Sequence, residues 1–320
     1  MTDFFFTLNL CHCMAAEWRI KMKQIQITRN DAGQRLDKFL TKFMPSLPKS
    51  MLYKSLRKNC VRINGRHVRD GAYVLSEGEE LSLYFNDEFF TRREAHISEN
   101  DNISVVYEDE NILVVNKPTN LVVHADDRGS TDTLVSRVQS YLYKKGEYDP
   151  QSEHSFSPAL CNRLDRNTSG LVIAAKNAAA LRIINEKLKN REIKKYYMCV
   201  TEGLPPHESG LLQSSVTREN KRTSIGKDGK EIRTKYRLIK SVGSRALLEI
   251  ELLTGRTHQI RVQMSAVGCP LEGDVKYGAK RRNGGYSLCS FKLVFDFSSD
   301  AGELNYLNGK EITINPPFSL

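Results

Sequence analysis

Residues 161–174 read CNRLDRNTSGLVIA, a polar loop followed by an apolar run. The apolar run is typical of a buried strand, and the loop places the carboxylate of Asp165 between two arginines. Flanking arginines favour the ionised carboxylate that a nucleophile or a base requires. A surface ion pair or an Asx turn has the same pattern, and the tripeptide Arg-Leu-Asp recurs at residues 35–37, in the first turn of a predicted helix. The loop alone is therefore no proof of a catalytic site.

A second polar cluster, residues 254–262 with the sequence TGRTHQIRV, follows a predicted strand and leads into a predicted helix. Two arginines of this cluster, Arg256 and Arg261, enter the helix at its N-terminus, where a phosphate or a carboxylate can be held. The alternative is a helix capped by Thr257, with Arg261 in solvent. Together, the two clusters favour a site that distant parts of the chain form.

The apolar spacing in the same region predicts a mixture of strands and helices. Alternation predicts strands at residues 103–107, 112–115 and 248–252, and helical spacing predicts helices at 134–142 and 181–188. Because neighbouring strands of the hairpin type outnumber βαβ units, we predict an α+β fold with a mainly antiparallel mixed sheet. Neither a GxGxxG motif nor a P-loop motif occurs, which argues against dinucleotide-binding and P-loop enzymes.

The first part of the chain predicts a smaller unit of two helices and a β-hairpin. Residues 36–43 carry apolar side chains at helical spacing, and a second helix is predicted with Ser50 as its N-cap. Asn64-Gly65 lies between alternating apolar residues and predicts a two-residue hairpin turn, with a further strand at 81–85.

Composition limits the functional classes. The chain has 320 residues, of which 40% are hydrophobic and 27% charged, which argues against disordered, collagen-like and coiled-coil proteins. The net charge of +10 favours a polyanionic partner such as nucleic acid, or an acidic membrane surface. No predicted helix pairs a broad apolar face with a basic one, so we expect no membrane partner. The seven cysteines include no CxxC pair that would suggest zinc or a redox dithiol, which favours a reducing cytoplasm.

These patterns divide the chain into four parts. Residues 1–21 lack the features of a signal peptide and are expected to be an unstructured extension. The two helices and the hairpin form a small domain at 22–86, and a polar, aperiodic linker spans 87–101. Residues 102–320 form the larger domain.

The small domain is strongly basic. Between residues 35 and 84, ten Lys and Arg stand against five acidic residues, which is half of the positive surplus of the chain in about a sixth of its length. The motifs RLDKFL at 35–40 and VRING at 61–65 resemble an S4 RNA-binding domain. We expect a positive face that contacts RNA phosphates, although a solvated helix face has the same composition. The expected contacts are Arg35, Lys49, Lys54, Arg57, Lys58, Arg62 and Arg66. A second basic run at residues 221–240 is expected to add RNA contacts, the alternative being a solvated hairpin.

In combination, the motifs of the larger domain resemble the RluA-type family of pseudouridine synthases. In chain order the matching motifs are Lys117-Pro118, His124, NRLD at 162–165, SGL at 169–171, KYY at 195–197, GRTHQIRV at 255–262, GD at 273–274 and YG at 277–278. Two positions depart from the family pattern, because Asn162 and Gln263 stand where histidine is usual. Neither carries the chemistry of the family, so both bear on the RNA target more than on the reaction.

The resemblance implies a reaction and a role for individual residues. Asp165 matches the catalytic aspartate, Tyr197 the active-site tyrosine and Arg256 the basic partner of the aspartate. Arg163 matches an arginine that helps to hold the place of the flipped-out nucleotide. Because Tyr196 is adjacent to Tyr197, the position of the active-site tyrosine stays open by one residue. Conversion of uridine to pseudouridine moves the C1′ bond from N1 to C5 of uracil without oxidation or loss of atoms. We therefore expect no cofactor and no metal.

The resemblance also suggests the RNA. An S4 unit ahead of the catalytic domain is the arrangement of the ribosomal-RNA members of the family, so the expected substrate is large-subunit ribosomal RNA and the expected enzyme is a cytoplasmic monomer. The alternatives are a transfer RNA pseudouridine synthase and a non-catalytic RNA-binding or ribosome-associated protein. A methyltransferase would need a glycine-rich loop for its methyl donor, and none is apparent.

Overall fold

The computed structural model describes residues 20–90, 98–125, 129–219, 222–226 and 228–320. The chain divides into two compact units, one up to residue 94 and one from residue 95. Residues 1–19 of the predicted extension and residues 91–97 of the predicted linker lie outside the described part. No helix of the described part is long and apolar enough to cross a membrane.

The first unit consists of a four-stranded sheet and two helices. Its elements are β1 (Ile20–Gln26), α1 (Leu36–Phe43), α2 (Lys49–Arg57), β2 (Val61–Ile63), β3 (Arg66–His67) and β4 (Glu80–Asn86), and the sheet order is β1-β4-β2-β3. The predicted order of two helices, hairpin and strand is confirmed, and β1 is an additional strand paired with β4. Ile25 and Ile27 on and beside β1 are buried at the period of a strand. Because β1 begins at Ile20, regular structure starts before the predicted boundary at residue 22.

Local backbone geometry explains where these elements turn and begin. Asn64 and Gly65 have φ angles of 49° and 78°, so the predicted hairpin turn is confirmed. The prediction of Ser50 as the N-cap of α2 is wrong, because Pro48 takes the extended N-cap conformation and no side chain caps the helix. Phe89 follows β4 in a 3₁₀ turn and packs in the core of the first unit, so this core includes part of the predicted linker.

The second unit is built on an eleven-stranded sheet. Its strands are β5 (Ser104–Glu108), β6 (Ile112–Lys117), β7 (Ala159–Leu160), β8 (Ser169–Ala175), β9 (Ile193–Glu202), β10 (Ser209–Glu219), β11 (Arg222–Ile225), β12 (Lys230–Val242), β13 (Arg245–Leu252), β14 (Leu288–Phe295) and β15 (Glu311–Thr313). Its helices are α3 (Leu134–Lys144), α4 (Ala178–Lys189) and α5 (Gln259–Ala266).

The strand order is β11-β10-β12-β13-β9-β14-β8-β6-β5, with β15 beside β14 and β7 beside β8. The pairing of β14 with β8 is parallel, and the other pairings described in this sheet are antiparallel. The predicted α+β fold with a mainly antiparallel mixed sheet is therefore confirmed.

The sheet separates two apolar cores. Along β8, Val172 and Ala174 pack in the core that includes α3 and α5, whereas Leu171 and Ile173 pack in the core that includes α4. Because β8 buries both of its faces, its sequence is a continuous apolar run instead of an alternation.

Gly170, at the start of β8, lies directly against β14. Its φ angle is 116°, and a Cβ atom at this position would lie 2.2 Å from the carbonyl oxygen of Ser290. Only glycine permits both this conformation and this approach. The approach affects the candidate site, because the loop that carries Asp165 runs directly into β8.

We predict that Gly170→Ala forces β8 and β14 apart and lowers the free energy of unfolding by roughly 3 kcal/mol, from the steric contact and the positive φ together. The measurement is urea-induced unfolding at an unchanged m-value. Gly243→Ala is the control, because Gly243 has a φ angle of 58° but no atom of a described residue within 4 Å of the added Cβ. The control should lose only about 1 kcal/mol. Equal losses in the two variants would show that the contact with Ser290 is not the reason for glycine.

Candidate active site

A cavity of about 340 Å³ is lined by the loop before β8, by β9 and by the loop before α5. The first loop contributes Arg163 and Asp165, β9 contributes Tyr197, and the second loop contributes Arg256. The structure thus brings together the four residues that the sequence suggests for the larger domain.

Side-chain and backbone hydrogen bonds hold the loop that carries Asp165. The backbone N–H of Thr168 donates to the Asp165 carbonyl at 3.0 Å and closes a turn. The buried Asn162 amide accepts from the backbone N–H of Ile173 at 2.8 Å and donates to the Leu171 carbonyl at 3.3 Å. Asn162 thus attaches the loop to β8 through the hydrogen bonds that a neighbouring strand would make.

Lys117, the last residue of β6, also holds this loop. Its side chain is fully buried, and its ammonium donates to the carbonyls of Pro118 at 2.8 Å, Leu121 at 2.8 Å and Arg166 at 3.0 Å. Burial lowers the pKa of Lys117 to about 8, while the charge of Asp165 acts in the opposite direction. The Lys117-Pro118 motif therefore supports the loop from the end of a neighbouring strand.

Arg261 is the cation beside the Asp165 carboxylate. Its Nη1 lies 3.4 Å from Oδ2 of Asp165. Its Nε and Nη2 donate to the two carboxylate oxygens of Asp274 at 2.7 and 2.8 Å, and its guanidinium carbon lies 4.2 Å from the ring centroid of Tyr286. Burial acts to lower the pKa of Arg261, but the hydrogen bonds to Asp274 and the charges around it raise this pKa above its ordinary value. The guanidinium is therefore charged, oriented and largely shielded from water.

The pairing predicted between Arg256 and Asp165 is wrong. Arg256 is exposed in the loop before α5. Within the described residues, the basic groups within 4.0 Å of the Asp165 carboxylate are Arg261 and His258. The start of the helix explains the difference, because α5 begins after His258 instead of Thr257 and its first turn is buried. The alternative of a solvated Arg261 is wrong for the same reason.

His258 is a site residue to which the sequence analysis gives no role. Its φ angle of 57° is left-handed, its Nδ1 lies 2.8 Å from the hydroxyl of Tyr277, and its Nε2 lies 3.7 Å from Oδ2 of Asp165. Burial lowers the pKa of His258 to about 4, with Asp165 opposing and Arg261 reinforcing the shift. The imidazole is therefore neutral at pH 7. The sequence feature that could have indicated a role for His258 is its position between Arg256 and Arg261 in the same motif.

Tyr197 faces the cavity and Tyr196 does not, which resolves the one-residue ambiguity in the tyrosine motif. Tyr197 is 5% exposed and belongs to the core on the α3 side of the sheet. Tyr196 lies on the other face of β9, where the Lys292 ammonium is 4.2 Å from its ring centroid. Burial raises the pKa of Tyr197, an effect that the Ser290 hydroxyl partly offsets, so the phenol is neutral at pH 7. It presents an aromatic surface to the cavity.

Gln263, the second departure from the family pattern, is buried in a polar network. It accepts from Oγ1 of Thr234 at 2.7 Å and donates to the Leu212 carbonyl at 3.0 Å and to Oγ of Ser214 at 3.1 Å. Gln263 thereby connects α5 to β10 and β12. Like Asn162, it belongs to the scaffold of the site.

The basic residues expected to contact RNA in the first unit differ in their partners within the protein. Arg35 forms a bidentate ion pair with Asp37 at 3.1 and 2.7 Å, and the Arg62 guanidinium carbon lies 5.2 Å from the ring centroid of Tyr84. The other side chains of this set are exposed, namely Lys49, Lys54, Arg57, Lys58 and Arg66. Most of the predicted positive face is therefore accessible, but the charge of Arg35 is balanced internally.

The second basic run is partly neutralised by the strand beside it. Lys235 and Arg237 on β12 form ion pairs with Glu251 and Glu249 on β13, at 3.4 and 3.0 Å. Two of its lysines, at positions 221 and 227, lie outside the described residues. These pairs make the run a weaker anion-binding surface than its composition indicates.

Comparison with known sequences connects this site to a family. The family model described as RNA pseudouridylate synthase matches residues 111–266. A protein of Mycoplasma capricolum named as an uncharacterized RNA pseudouridine synthase is 33% identical over 306 residues, which cover 93% of this chain and 99% of that protein. The ribosomal large subunit pseudouridine synthase C of Escherichia coli is 30% identical over 267 residues, which cover 80% of this chain and 80% of that protein.

Solved structures support the same fold. Human RNA pseudouridylate synthase domain containing 4 has a TM-score of 0.54 at 20% identity, covering 67% of this chain and 88% of that one. Human RNA pseudouridylate synthase domain containing 1 has a TM-score of 0.52 at 24% identity, covering 68% of this chain and 85% of that one. The structural neighbours establish only the fold. The sequence relatives establish the family, because their similarity extends over most of both chains. The resemblance predicted from the motifs is confirmed, and the chain belongs to the RNA pseudouridine synthase family.

Proposed function

We propose that this enzyme converts specific uridines of large-subunit ribosomal RNA to pseudouridine, with Asp165 acting at the glycosidic bond. The observation that carries the proposal is the Asp165 carboxylate beside the cavity, 3.4 Å from the buried guanidinium of Arg261. The name of the Escherichia coli relative, a ribosomal large subunit pseudouridine synthase, supports the choice of RNA. A ribosomal substrate implies that the enzyme acts in the cytoplasm.

The reaction requires a carboxylate near the ribose of the target nucleotide. The N1–C1′ bond breaks, its electron pair leaves with the uracil, the base turns, and C5 forms the new bond to C1′. The proton on C5 is then lost and N1 gains one, so the reaction is an isomerisation. An ionised Asp165 can attack C1′, stabilise positive charge on the ribose or remove a ribose proton. Arg261 holds the carboxylate in place during each of these steps.

The target uridine must leave the RNA stack to reach Asp165. Extrusion of a base costs stacking energy, which contacts with the protein have to replace. Exposed Arg163 at the cavity is suited to fill the vacated position with its planar guanidinium, and Tyr197 is suited to pack against the captured uracil. Arg256, which the internal ion pair does not use, is available for RNA at the same opening.

Affinity for the RNA backbone comes, in this proposal, from the exposed cations of the first unit. Four of them lie on or directly after α2, at Lys49, Lys54, Arg57 and Lys58. Cations along one short helix neutralise neighbouring phosphates and release counterions, so their contribution depends on salt. Their resemblance to the basic face of an S4 domain supports this role.

We predict that Asp165→Asn abolishes conversion while the affinity for RNA changes by less than about tenfold, which is roughly 1.4 kcal/mol. Asparagine preserves the shape of the side chain but removes the charge that acts on the ribose. Conversion is measured by carbodiimide-based pseudouridine mapping, and affinity by filter binding. Asp132→Asn, at an exposed ion pair with Arg137, is the control and should remain active. Turnover by Asp165→Asn would remove Asp165 from the mechanism.

We predict that Arg261 and Arg256 differ sharply in their effect on the reaction. Arg261→Gln leaves the carboxylate of Asp274 buried without a cation, which should cost about 3–5 kcal/mol of stability and slow conversion about 100-fold or more. Arg261→Lys keeps the charge but cannot form the two parallel hydrogen bonds to Asp274, so its stability should lie between those of Arg261→Gln and the wild type. Arg256→Gln should keep the single-turnover rate within about tenfold. The opposite ranking of the two glutamine variants would reverse the assignment of the aspartate's partner.

We predict that the double substitution Lys54→Gln/Arg57→Gln weakens RNA binding and flattens its salt dependence. If both side chains contact phosphates, the slope of log K against log salt concentration should fall by about 1.5. The control is Lys144→Gln/Lys310→Gln, which removes the same charge from the second unit away from the cavity. An identical slope in the two double variants would mean that α2 is a solvated surface.

The choice between ribosomal and transfer RNA is tested in cells. Pseudouridine mapping of total RNA from cells without this chain should lose signal at particular positions of large-subunit ribosomal RNA. Lost positions in transfer RNA would favour the alternative substrate. Unchanged maps, together with inactive purified protein, would favour a non-catalytic RNA-binding role.

A further inference from the structure

Lys195 shares the cavity with Asp165 and Tyr197. It lies on β9 two residues before Tyr197, and alternation along the strand directs both side chains to the same face. Both line the cavity of about 340 Å³. The Lys195 ammonium lies toward the loop before α5, 3.8 Å from the position that a Cβ on Gly255 would occupy.

The Lys195 ammonium has no partner among the described residues, which form no ion pair, hydrogen bond or ring contact with it. Two neighbouring lysines on β9 and β14 do have partners. Lys194 forms an ion pair with Asp296 at 2.5 Å, and Lys292 lies over the ring of Tyr196. Burial lowers the pKa of Lys195, and no carboxylate of the part of the chain that the structure describes acts against this shift. A partly buried cation without a counter-charge is unfavourable unless a ligand supplies one.

The other basic groups of the cavity are already engaged or lie at its opening. Arg261 is bound to Asp274 and faces Asp165, and His258 is neutral at pH 7. Arg163 and Arg256 are exposed. Lys195 is therefore the cation that can approach a ligand inside the cavity without first breaking an internal ion pair.

The reaction creates the negative charge that this position lacks. When the N1–C1′ bond breaks heterolytically, the electron pair of the bond stays on the uracil, and the charge is delocalised over N1 and the carbonyl oxygens O2 and O4. Asp165 can compensate only the positive charge that develops on the ribose. One fixed hydrogen-bond donor at a carbonyl oxygen is enough to lower the energy of the departing uracil anion. A donor directed at developing charge stabilises the transition state more than the ground state.

We propose that Lys195 is a catalytic residue whose ammonium donates a hydrogen bond to a carbonyl oxygen of the captured uracil and stabilises the uracil anion between bond cleavage and bond formation. The inference rests on the proposed function, in which Asp165 acts on the ribose of the same nucleotide. Lys195 keeps its protons throughout, so the balance of the isomerisation is unchanged. The location beside Tyr197 favours the base over a phosphate, because extrusion brings the base into the cavity and leaves the backbone at its opening.

The test compares Lys195→Met with Lys194→Met in the full-length protein. The two substitutions remove neighbouring charges of β9, one at the cavity and one at the ion pair with Asp296. With saturating enzyme, the single-turnover rate of Lys195→Met should fall about 100-fold or more, while its RNA affinity and salt slope match those of the wild type. Lys194→Met should keep the wild-type rate, and Lys195→Arg should recover part of the lost rate.

A second substrate separates a chemical role from a structural one. RNA with 5-fluorouridine at the target position carries a more acidic base, whose anion needs less stabilisation. The rate loss of Lys195→Met, measured as N1–C1′ cleavage in a single turnover, should therefore be smaller with this RNA than with uridine. Loss of packing would slow both substrates equally and would overturn the proposal. Urea unfolding of Lys195→Met and Lys195→Gln identifies a variant that keeps the wild-type midpoint for these measurements.

The remaining outcomes also decide the question. Weaker binding with a flatter salt slope and an unchanged rate at saturation would assign Lys195 to an RNA phosphate and overturn the proposal. An unchanged rate, affinity and slope would overturn it as well. If the wild-type protein converts no uridine, the proposed function itself fails. If the wild type and Lys194→Met are active and Asp165→Asn is inactive, the proposed function stands, and a contrary result for Lys195→Met overturns only the role of Lys195.

Discussion

The buried pair of Arg261 and Asp274 is the interaction on which the site depends. Their side chains are 8% and 1% exposed, and neither charge would be stable there without the other. The two parallel hydrogen bonds fix the plane of the guanidinium, and the ring of Tyr286 supports its face. The remaining nitrogen, Nη1, is then directed at Asp165. One arginine thus connects a structural carboxylate to the carboxylate that faces the cavity.

The position of Asp165 is set by its surroundings more than by its own contacts. Lys117 holds the carbonyl of Arg166 from the end of β6, Asn162 attaches the loop to β8, and Gly170 lets β8 approach β14. These anchors use backbone groups, which are present whatever side chains the loop carries. The carboxylate itself remains 29% exposed and can meet a substrate.

Much of this arrangement could be predicted from local patterns. The apolar spacing of residues 36–43 and the run at 171–174 indicate elements that the structure contains, because a regular element repeats its buried face at a fixed period. The motif resemblance places Asp165 and Tyr197 beside one cavity, as the structure has them. β1 was harder to predict, since its apolar positions are few and its pairing partner β4 lies far along the chain.

The choice between Arg256 and Arg261 could not be made from local patterns. Both are arginines of one short motif, and either has the charge to face Asp165. The decision depends on the residue at which α5 begins and on Asp274, which binds the arginine only after the chain has folded back. Long-range pairing of this kind leaves no periodic signal in the sequence.

The parallel pairing of β8 with β14 has a consequence for the order of events during synthesis. Ser169 and Leu288, which meet there, are 119 positions apart in the chain. During synthesis the basic first unit leaves the ribosome before β8, and β8 receives this neighbour only after the residues between the two strands have been added. A growing polypeptide therefore carries its positively charged first unit before the strand that follows the Asp165 loop has gained this parallel neighbour.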